Sequence, residues 1–196
     1  MGRKSIKEIR RKEIVKVFYN VAISEGLENT SIAKIALELD CNPSLIIHYF
    51  ETKDELIYGL IDYILERYSN IFVLDNSEIS SKEEFAELID QLFTRKWNEL
   101  IDDGVFYSCY ALTFKNDKIK RKFKVLHQQL RRKLIKILQD AKMMGYLDIE
   151  RIEHKAELFF IVLEGAYYYL SLIDDKQEYS DQMNSFRMHA KSIISI

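Results

Sequence analysis

Apolar residues recur every three or four positions along most of this chain, which is the spacing that gives an α-helix one apolar face. The first such run, residues 5–24, is followed by Gly26, and glycine commonly ends helices. A shorter run, residues 32–39, follows Thr30 and Ser31, either of which can cap its first turn. The pattern predicts two amphipathic helices, with apolar faces formed by Ile6, Ile9, Ile14, Val17, Phe18, Val21 and Ala22, and by Ile32, Ile35, Ala36 and Leu39.

The stretch CNPSLIIHYF, residues 41–50, contains the only proline of the chain. Asn42 is a good N-cap, and Pro43 falls at the first helical position, where its missing N–H costs nothing and its fixed φ is already helical. A third, short helix from Pro43 to about Tyr49 is therefore predicted.

The remaining chain also has helical patterning. Capping boxes at residues 52–55 and 81–84 mark two helix starts, and Gly145 marks a helix end. Further helices are predicted at residues 53–72, 81–100, 106–114, 117–144, after residue 148, and at 179–194. The sequence thus predicts an all-α protein of about nine helices.

Composition supports a folded chain with a real core, since 47% of the 196 residues are hydrophobic and glycine and proline are scarce. No apolar run approaches the ~20 residues that span a bilayer, and the amino terminus is charged where a signal peptide is apolar. We therefore expect a cytoplasmic protein without a membrane partner. Cys41 and Cys109 show no metal-type spacing, and both are expected to be buried thiols.

Charge is unevenly distributed. The whole chain carries a formal charge of −2, but residues 1–16 contain seven Lys/Arg and two Glu, a local balance of 7 − 2 = +5. A basic amino-terminal arm of this kind suits nucleic acid, although the whole surface does not.

Two short helices joined by a tight turn, with the first helix packed behind them, form a helix-turn-helix whose second helix enters the major groove of DNA. In this reading Pro43 stiffens the start of the recognition helix, which presents Ser44, Leu45, Ile47 and His48 to the groove. The alternative is a capped helical hairpin without a role in DNA binding, because such hairpins are common in helical bundles.

The segments SIAKIA (residues 31–36) and CNPSLIIHYF, with Lys53 and Leu56 after them, resemble the TetR family of transcriptional regulators over about residues 9–60. The resemblance implies a DNA-binding domain at residues 1–52 and a regulatory and dimerisation domain at 53–196. Ile47 stands at a position where many members of the family have tyrosine. Without the tyrosine hydroxyl, the resemblance implies that this residue reads DNA bases through apolar contacts. The implied DNA-binding residues are Ser31, Asn42, Pro43, Ser44, Leu45, Ile47, His48, Tyr49 and Lys53.

Aromatic residues concentrate in the second domain. Core packing explains any one of them, but many phenols need partners when buried, and an aromatic cleft with a few polar groups is typical of a ligand pocket. Resemblance to the family implies a small-molecule inducer here. The stretches SCYALTF and LEGAYYYLSL are similar to the betaine-pathway subgroup. The expected ligand-binding residues are Phe93, Trp97, Phe106, Tyr107, Tyr110, Phe114, Phe159 and Tyr167.

The last two helices are assigned by the same resemblance to a homodimer interface, with intramolecular packing as the alternative. The expected interface residues are Phe160, Tyr168, Met183, Phe186, Arg187 and Ala190.

Other signals are weaker. The basic run at residues 118–124, with more cations at 131–133, fits the solvated face of an amphipathic helix better than a second nucleic-acid patch. His154 among glutamates is a poor metal site, and no metal or cofactor is expected. Glycine-rich phosphate loops and nucleophile elbows are missing from the sequence, which disfavours an enzyme.

The sequence therefore predicts a homodimeric, TetR-like repressor that binds a palindromic operator and is released by an inducer. An alternative hypothesis keeps the DNA-binding head and places control in redox chemistry at Cys109 or in a protein partner. The operator, the inducer and the direction of regulation stay open.

Overall fold

The computed structural model describes residues 3–70, 79–94 and 101–196, and it confirms an all-α fold. Nine α-helices and one short 3-10 turn, Leu112–Phe114, lie in this part of the chain. The helices are α1 Arg3–Glu25, α2 Ile32–Glu38, α3 Pro43–Tyr49, α4 Lys53–Asn70, α5 Lys82–Gln91, α6 Asp103–Ala111, α7 Asp117–Met143, α8 Ile152–Leu170 and α9 Lys176–Ile193.

Side-chain caps begin the short helices. The Ser31 hydroxyl accepts the Lys34 N–H at 3.3 Å and so caps α2, whereas Thr30 turns inward and donates to the Gly26 carbonyl at 2.8 Å. The Asn42 side chain accepts the Ser44 N–H at 2.9 Å, and Pro43 occupies the first turn of α3 as predicted. These bonds satisfy amide groups that a helix start leaves without partners.

Both predicted capping boxes form. The Glu55 N–H donates to the Thr52 hydroxyl at 3.1 Å, and the Glu84 N–H donates to the Ser81 hydroxyl, also at 3.1 Å. Each glutamate reaches back one residue further than the usual box, because its carboxylate accepts the N–H of Glu51 in one case and of Ser80 in the other.

Left-handed residues end three helices. Gly26 at φ +83° follows α1 and Gly145 at φ +76° follows α7, as predicted. Asp40 takes the same role after α2 with φ +47°, and the next amide, Cys41 N–H, donates to the Ala36 carbonyl at 2.9 Å. This six-to-one bond is a Schellman closure, and it makes the tight turn between α2 and α3.

Two predicted boundaries were wrong. Helix α5 ends at Gln91 and a turn follows at residues 92–94, so the predicted helix is interrupted there; residues 95–100 lie outside the described residues. The Tyr167 hydroxyl donates to the Leu92 carbonyl at 2.7 Å and so satisfies part of the broken ladder. Helix α6 starts at Asp103, earlier than expected, because Asp102 caps it by accepting the Val105 N–H.

The chain forms two compact units, one of residues 1–68 and 98–124 and one of residues 69–97 and 125–196. Unit one has a core formed by α1, α2, α3, α4, α6 and the start of α7, and its buried residues include Phe18, Ile35, Ile46, Leu60, Ile64, Cys109 and Phe123. Unit two contains α5, the rest of α7, α8 and α9, and its buried residues include Phe85, Ile89, Leu134, Phe159, Leu163 and Ala190. The functional division predicted at residue 52 stays a prediction.

Candidate nucleic-acid interface

Helices α1, α2 and α3 of unit one pack against one another as a helix-turn-helix requires. Ile35 and Ala36 of α2 are each 1% exposed and Ile46 of α3 is fully buried, so one face of each short helix is in the core. The opposite face of α3 is therefore fixed outward by packing as well as by its cap.

The outward face of α3 carries the four side chains predicted for base readout. Leu45 is 42% exposed and Ile47 is 52% exposed, and Ser44 and His48 are exposed beside them. Thymine methyl groups are an apolar feature of the major groove that such side chains can contact. The arrangement suits readout by two apolar and two hydrogen-bonding side chains.

Residues at the ends of the two short helices surround this face. Ser31, Asn42 and Pro43 are exposed at helix starts, and Lys53 is exposed at the start of α4. Tyr49 is half-buried, with its ring edge-on to His48 at 5.3 Å between centroids. All nine predicted DNA-binding residues therefore belong to unit one, and six of them lie in α3.

Arg11 of α1 has a role that the sequence analysis did not assign. Its guanidinium donates a hydrogen bond to the Tyr49 carbonyl and lies 4.1 Å from the centroid of the Phe50 ring. It therefore holds the carboxyl end of α3, where a cation also complements the helix dipole. The signal was present, because Arg11 shares the helical spacing of Ile14, Val15 and Phe18 instead of the outer face of the basic arm.

Family profiles match nearly the whole chain. The profile described as "Bacterial regulatory proteins, tetR family" matches residues 14–58, and the profile "Tetracyclin repressor-like, C-terminal domain" matches residues 80–196. The chain belongs to the tetR family. It is a transcription regulator with a helix-turn-helix. No curated protein matches it significantly in sequence.

Solved structures share the fold at low sequence identity. A TetR transcription regulator from Haloarcula marismortui is 17% identical with a TM-score of 0.76, covering 96% of this chain and 97% of its own. A Saccharomonospora viridis protein solved in complex with choline is 15% identical with a TM-score of 0.72, covering 96% of each chain. E. coli NemR in its reduced form is 11% identical with a TM-score of 0.73, covering 94% of this chain and 97% of its own.

The aromatic residues expected to line the ligand site of this tetR-family regulator fall into separate groups. Phe106, Tyr107, Tyr110 and Phe114 belong to unit one, Phe93, Phe159 and Tyr167 belong to unit two, and Trp97 lies outside the described residues. In unit one the Phe123 ring meets Phe106 and Tyr110 edge-on at 5.8 and 5.4 Å. In unit two Phe93 meets Phe159 edge-on at 5.8 Å. Packing accounts for these contacts, and a ligand role for the residues stays a prediction.

One polar group in unit two was not singled out from the sequence. The His127 Nδ1 atom of α7 lies 3.8 Å from a Glu164 carboxylate oxygen of α8, and the His127 ring is edge-on to Phe160. Burial lowers the pKa of His127 below its ordinary value, so the imidazole is neutral at neutral pH. Glu164, inside the LEGAYYYLSL stretch, thus lies half-buried beside this imidazole.

The predicted dimer residues divide into inward and outward positions. Phe160, Met183 and Ala190 are at most 6% exposed and pack within unit two, so they have little surface left for a partner. Arg187 lies 3.8 Å from Asp90 of α5, which also pairs with Lys191 at 2.9 Å. Phe186 is half-buried against Tyr169, whereas Tyr168 is 59% exposed.

Cys109 is fully buried, and burial raises the pKa of its thiol to about 12. A thiol with that pKa holds almost no thiolate at neutral pH, and the thiolate is the reactive form. The structure therefore speaks against the hypothesis of redox control at Cys109. Among the described residues no helix is long and apolar enough to span a membrane, and no cluster of His, Cys, Asp and Glu could hold a metal ion.

Proposed function

We propose that this protein is a homodimeric repressor that reads a palindromic operator with α3 and is released by a small-molecule inducer. The observation that carries the proposal is the capped α3 helix, which buries Ile46 and presents Leu45 and Ile47 to solvent. In a dimer two such helices would enter successive major grooves about 34 Å apart.

Helix α8 offers a surface for the second copy. Its exposed apolar residues follow an alternating spacing of three and four, which is the spacing of helices that pack at shallow angles in four-helix bundles. Ile161, Tyr168 and Leu172 are 59%, 59% and 67% exposed. We call this surface the α8 stripe, and it consists of Leu158, Ile161, Gly165 and Tyr168 of the helix together with Leu172, which lies two residues after its end.

A matching surface lies on α9. Met188 is 62% exposed, and the exposed residues Ser185 and Ser192 are three and four positions away on the same face. Small residues beside a large one allow helices of two copies to approach closely. The proposed interface therefore uses the α8 stripe and Met188, in place of Phe160, Met183 and Ala190, which the chain itself buries.

An inducer of this protein is proposed to be a small organic cation. Aromatic faces attract quaternary ammonium groups, and unit two supplies the Tyr167 ring as well as the Glu164 carboxylate. The Saccharomonospora viridis protein was solved with choline, so choline is the first compound to test. A ligand that binds the released state better than the DNA-bound state weakens operator binding by that difference in affinity.

The proposal of operator binding is tested by selecting sites from a pool of random duplexes and measuring affinity by fluorescence anisotropy. A palindrome with half-sites one helical turn apart is expected. Ile47→Ala should weaken operator binding roughly ten-fold, as loss of one base contact typically does. Ile23→Ala is the matched control, because Ile23 is 46% exposed and belongs to α1 instead of α3. Equal effects of the two substitutions would contradict readout by α3.

The proposal of dimerisation is tested by sedimentation. Ile161→Lys places a charge in the α8 stripe and should convert the dimer to a monomer. Val125→Lys is the control, since Val125 is 50% exposed on α7 outside the stripe. A wild-type monomer, or an Ile161→Lys dimer of unchanged strength, would count against the α8 stripe.

The proposal of induction is tested by adding choline to the operator complex. Choline is expected to raise the dissociation constant of the operator, and its neutral carbon analogue is not. If neither compound changes the affinity, the organic-cation inducer is rejected, and the remaining alternative is control by a protein partner.

A further inference from the structure

The part of unit one that presents α3 is acidic. Residues 17–68 contain three Lys/Arg and nine Asp/Glu, a balance of 3 − 9 = −6. Two of the three cations are engaged, because Lys34 pairs with Glu25 and Arg67 donates to the Tyr63 hydroxyl at 3.2 Å. Affinity for duplex DNA comes largely from cations that displace counterions from phosphates. Lys53 alone is too little to supply it, so other cations must contribute.

The amino-terminal arm supplies some of these cations, and unit one contains a second source. Residues 115–124, which we call the basic strip, contain six Lys/Arg and one Asp, a balance of 6 − 1 = +5. The strip covers the last turn before α7 and the first two turns of that helix. Lys115, Lys120 and Arg121 are exposed, and within the described part of the chain they form no ion pair.

Specific contacts fix the basic strip against α4. The Asn116 amide donates to the Tyr58 hydroxyl at 3.0 Å, and the Lys118 ammonium lies 3.9 Å from the centroid of the same ring. Further along, Lys122 pairs with Asp62. The strip therefore runs beside α4 in the same direction, with its first residues nearest to the start of α4.

The start of α4 is also the end that follows α3. Tyr58 is five residues after Lys53, which corresponds to about 7.5 Å along a helix. Charges interact without heavy screening over about 10 Å at 0.1 M salt. The first residues of the strip thus lie beside the first turns of α4, at the end of that helix that carries Lys53.

The second half of α7 is in a different electrostatic setting. Arg131 pairs with Glu157 of α8 at 2.7 Å. Residues 125–196 contain ten Lys/Arg and ten Asp/Glu, so their net charge is zero. Sequence patterning alone predicted one solvated face for the cations at residues 118–124 and 131–133. The fold places these two groups in different units.

We propose that the basic strip is a second phosphate-binding surface, which contacts the DNA backbone flanking the site read by α3. This inference rests on the proposed function, because it assumes that α3 docks in the major groove. Phosphate contacts carry no sequence information. The strip therefore sets the affinity and its dependence on salt, and leaves the preference for the operator unchanged.

The test is a salt titration of duplex binding by fluorescence anisotropy, with both the selected operator and a mixed-sequence duplex as probes. The variant K115Q/K120Q/R121Q removes three cations of the strip from each protomer. The matched control R132Q/K133Q/K136Q removes three exposed cations from the second half of the same helix. The charge-retaining variant K115R/K120R checks that side-chain identity alone has no effect, and circular dichroism checks folding.

The strip variant is expected to bind at least about ten-fold more weakly at low salt, and to reduce the slope of log affinity against log salt by at least about 2 per dimer. The control and the arginine variant should keep the wild-type slope. Unchanged binding by the strip variant, an equal loss in the control, or a changed ratio of operator to mixed-sequence affinity would each overturn the inference. Absence of DNA binding by the wild-type protein would instead overturn the proposed function, and the inference with it.

Discussion

Arg11→Met removes the guanidinium that holds the carboxyl end of α3 and keeps an unbranched apolar stem of similar length. In the wild-type protein this group donates to the Tyr49 carbonyl and stacks 4.1 Å from the Phe50 ring centroid. Phe50 is 2% exposed, so the pair lies at the edge of the core of unit one. The substitution therefore removes two interactions without opening a large cavity.

The expected loss follows from these two contacts. A hydrogen bond to a charged donor contributes about 1.5–3 kcal/mol, and a cation–π contact contributes about 0.5–1 kcal/mol at a partly exposed site. Because the Tyr49 carbonyl regains some hydration in the variant, we expect the free energy of unfolding to fall by about 2–3 kcal/mol. That is a large fraction of the ~5–15 kcal/mol that stabilises an ordinary domain.

Urea denaturation at fixed protomer concentration measures the loss, since the proposed dimerisation would make apparent stability depend on concentration. Arg10→Met is the matched control. Arg10 is the preceding cation, its side chain is 59% exposed, and it pairs with Glu13 one helical turn away. Exposed pairs of this kind contribute about 0.3–0.5 kcal/mol.

Operator binding provides a second readout, because both variants lose one positive charge. If Arg11→Met weakens operator binding more than Arg10→Met does, the additional loss is due to a displaced α3. The reasoning is refuted if Arg11→Met and Arg10→Met are equally stable, or if only the Arg10 variant loses affinity for the operator.

Four further substitutions, at Asp40, Gly59 and His127, test local features. Asp40→Gly should raise the free energy of unfolding by about 0.5–1 kcal/mol, because Asp40 has a φ of +47°, and Asp40→Val should lower it; the opposite order in urea denaturation would exclude strain at this turn. Gly59→Ala should lower the free energy of unfolding by about 1 kcal/mol, since a Cβ there would lie 3.0 Å from Val15 and 3.1 Å from Phe50, both buried; a gain in melting temperature would show that these neighbours yield. Wild-type stability should decline as pH falls below about 6.5, because burial lowers the pKa of His127 and the unfolded chain takes up that proton first. His127→Gln should flatten this decline, and an identical pH profile for the two proteins would rule out His127 as its source.

Local sequence signals predicted the helix-turn-helix well. The start of α3 was readable because Asn42 and Pro43 act within one turn, and the start of α5 was readable because Ser81 and Glu84 form a local box. Caps and turns depend on neighbours within four residues, so their physics is contained in the sequence. The exposed face of α3 was readable too, since helical periodicity separates Ile46 from Ile47 once a core is assumed.

Signals that depend on distant partners were missed. Helix α5 ends early at Gln91, and the Leu92 carbonyl after it accepts a hydrogen bond from Tyr167, 75 positions away, which sequence periodicity could not show. The dimer residues Met183 and Ala190 were assigned by family resemblance, and that role stays a prediction. The packing of α8 on α9 shows what the sequence could not, namely that the chain itself buries both side chains.

The sequence by itself determined an all-α chain, the boundaries of α2 and α3, the outward side chains of α3 and the family, because these rest on local hydrogen bonding and helical periodicity. Tertiary structure alone decided that Arg11 holds the end of α3, that Cys41 is only half-buried, and that the basic strip lies beside α4. Each of these depends on residues more than thirty positions apart, or on the solvent exposure of a side chain. Their physical cause is the packing of non-adjacent helices, which no local pattern encodes.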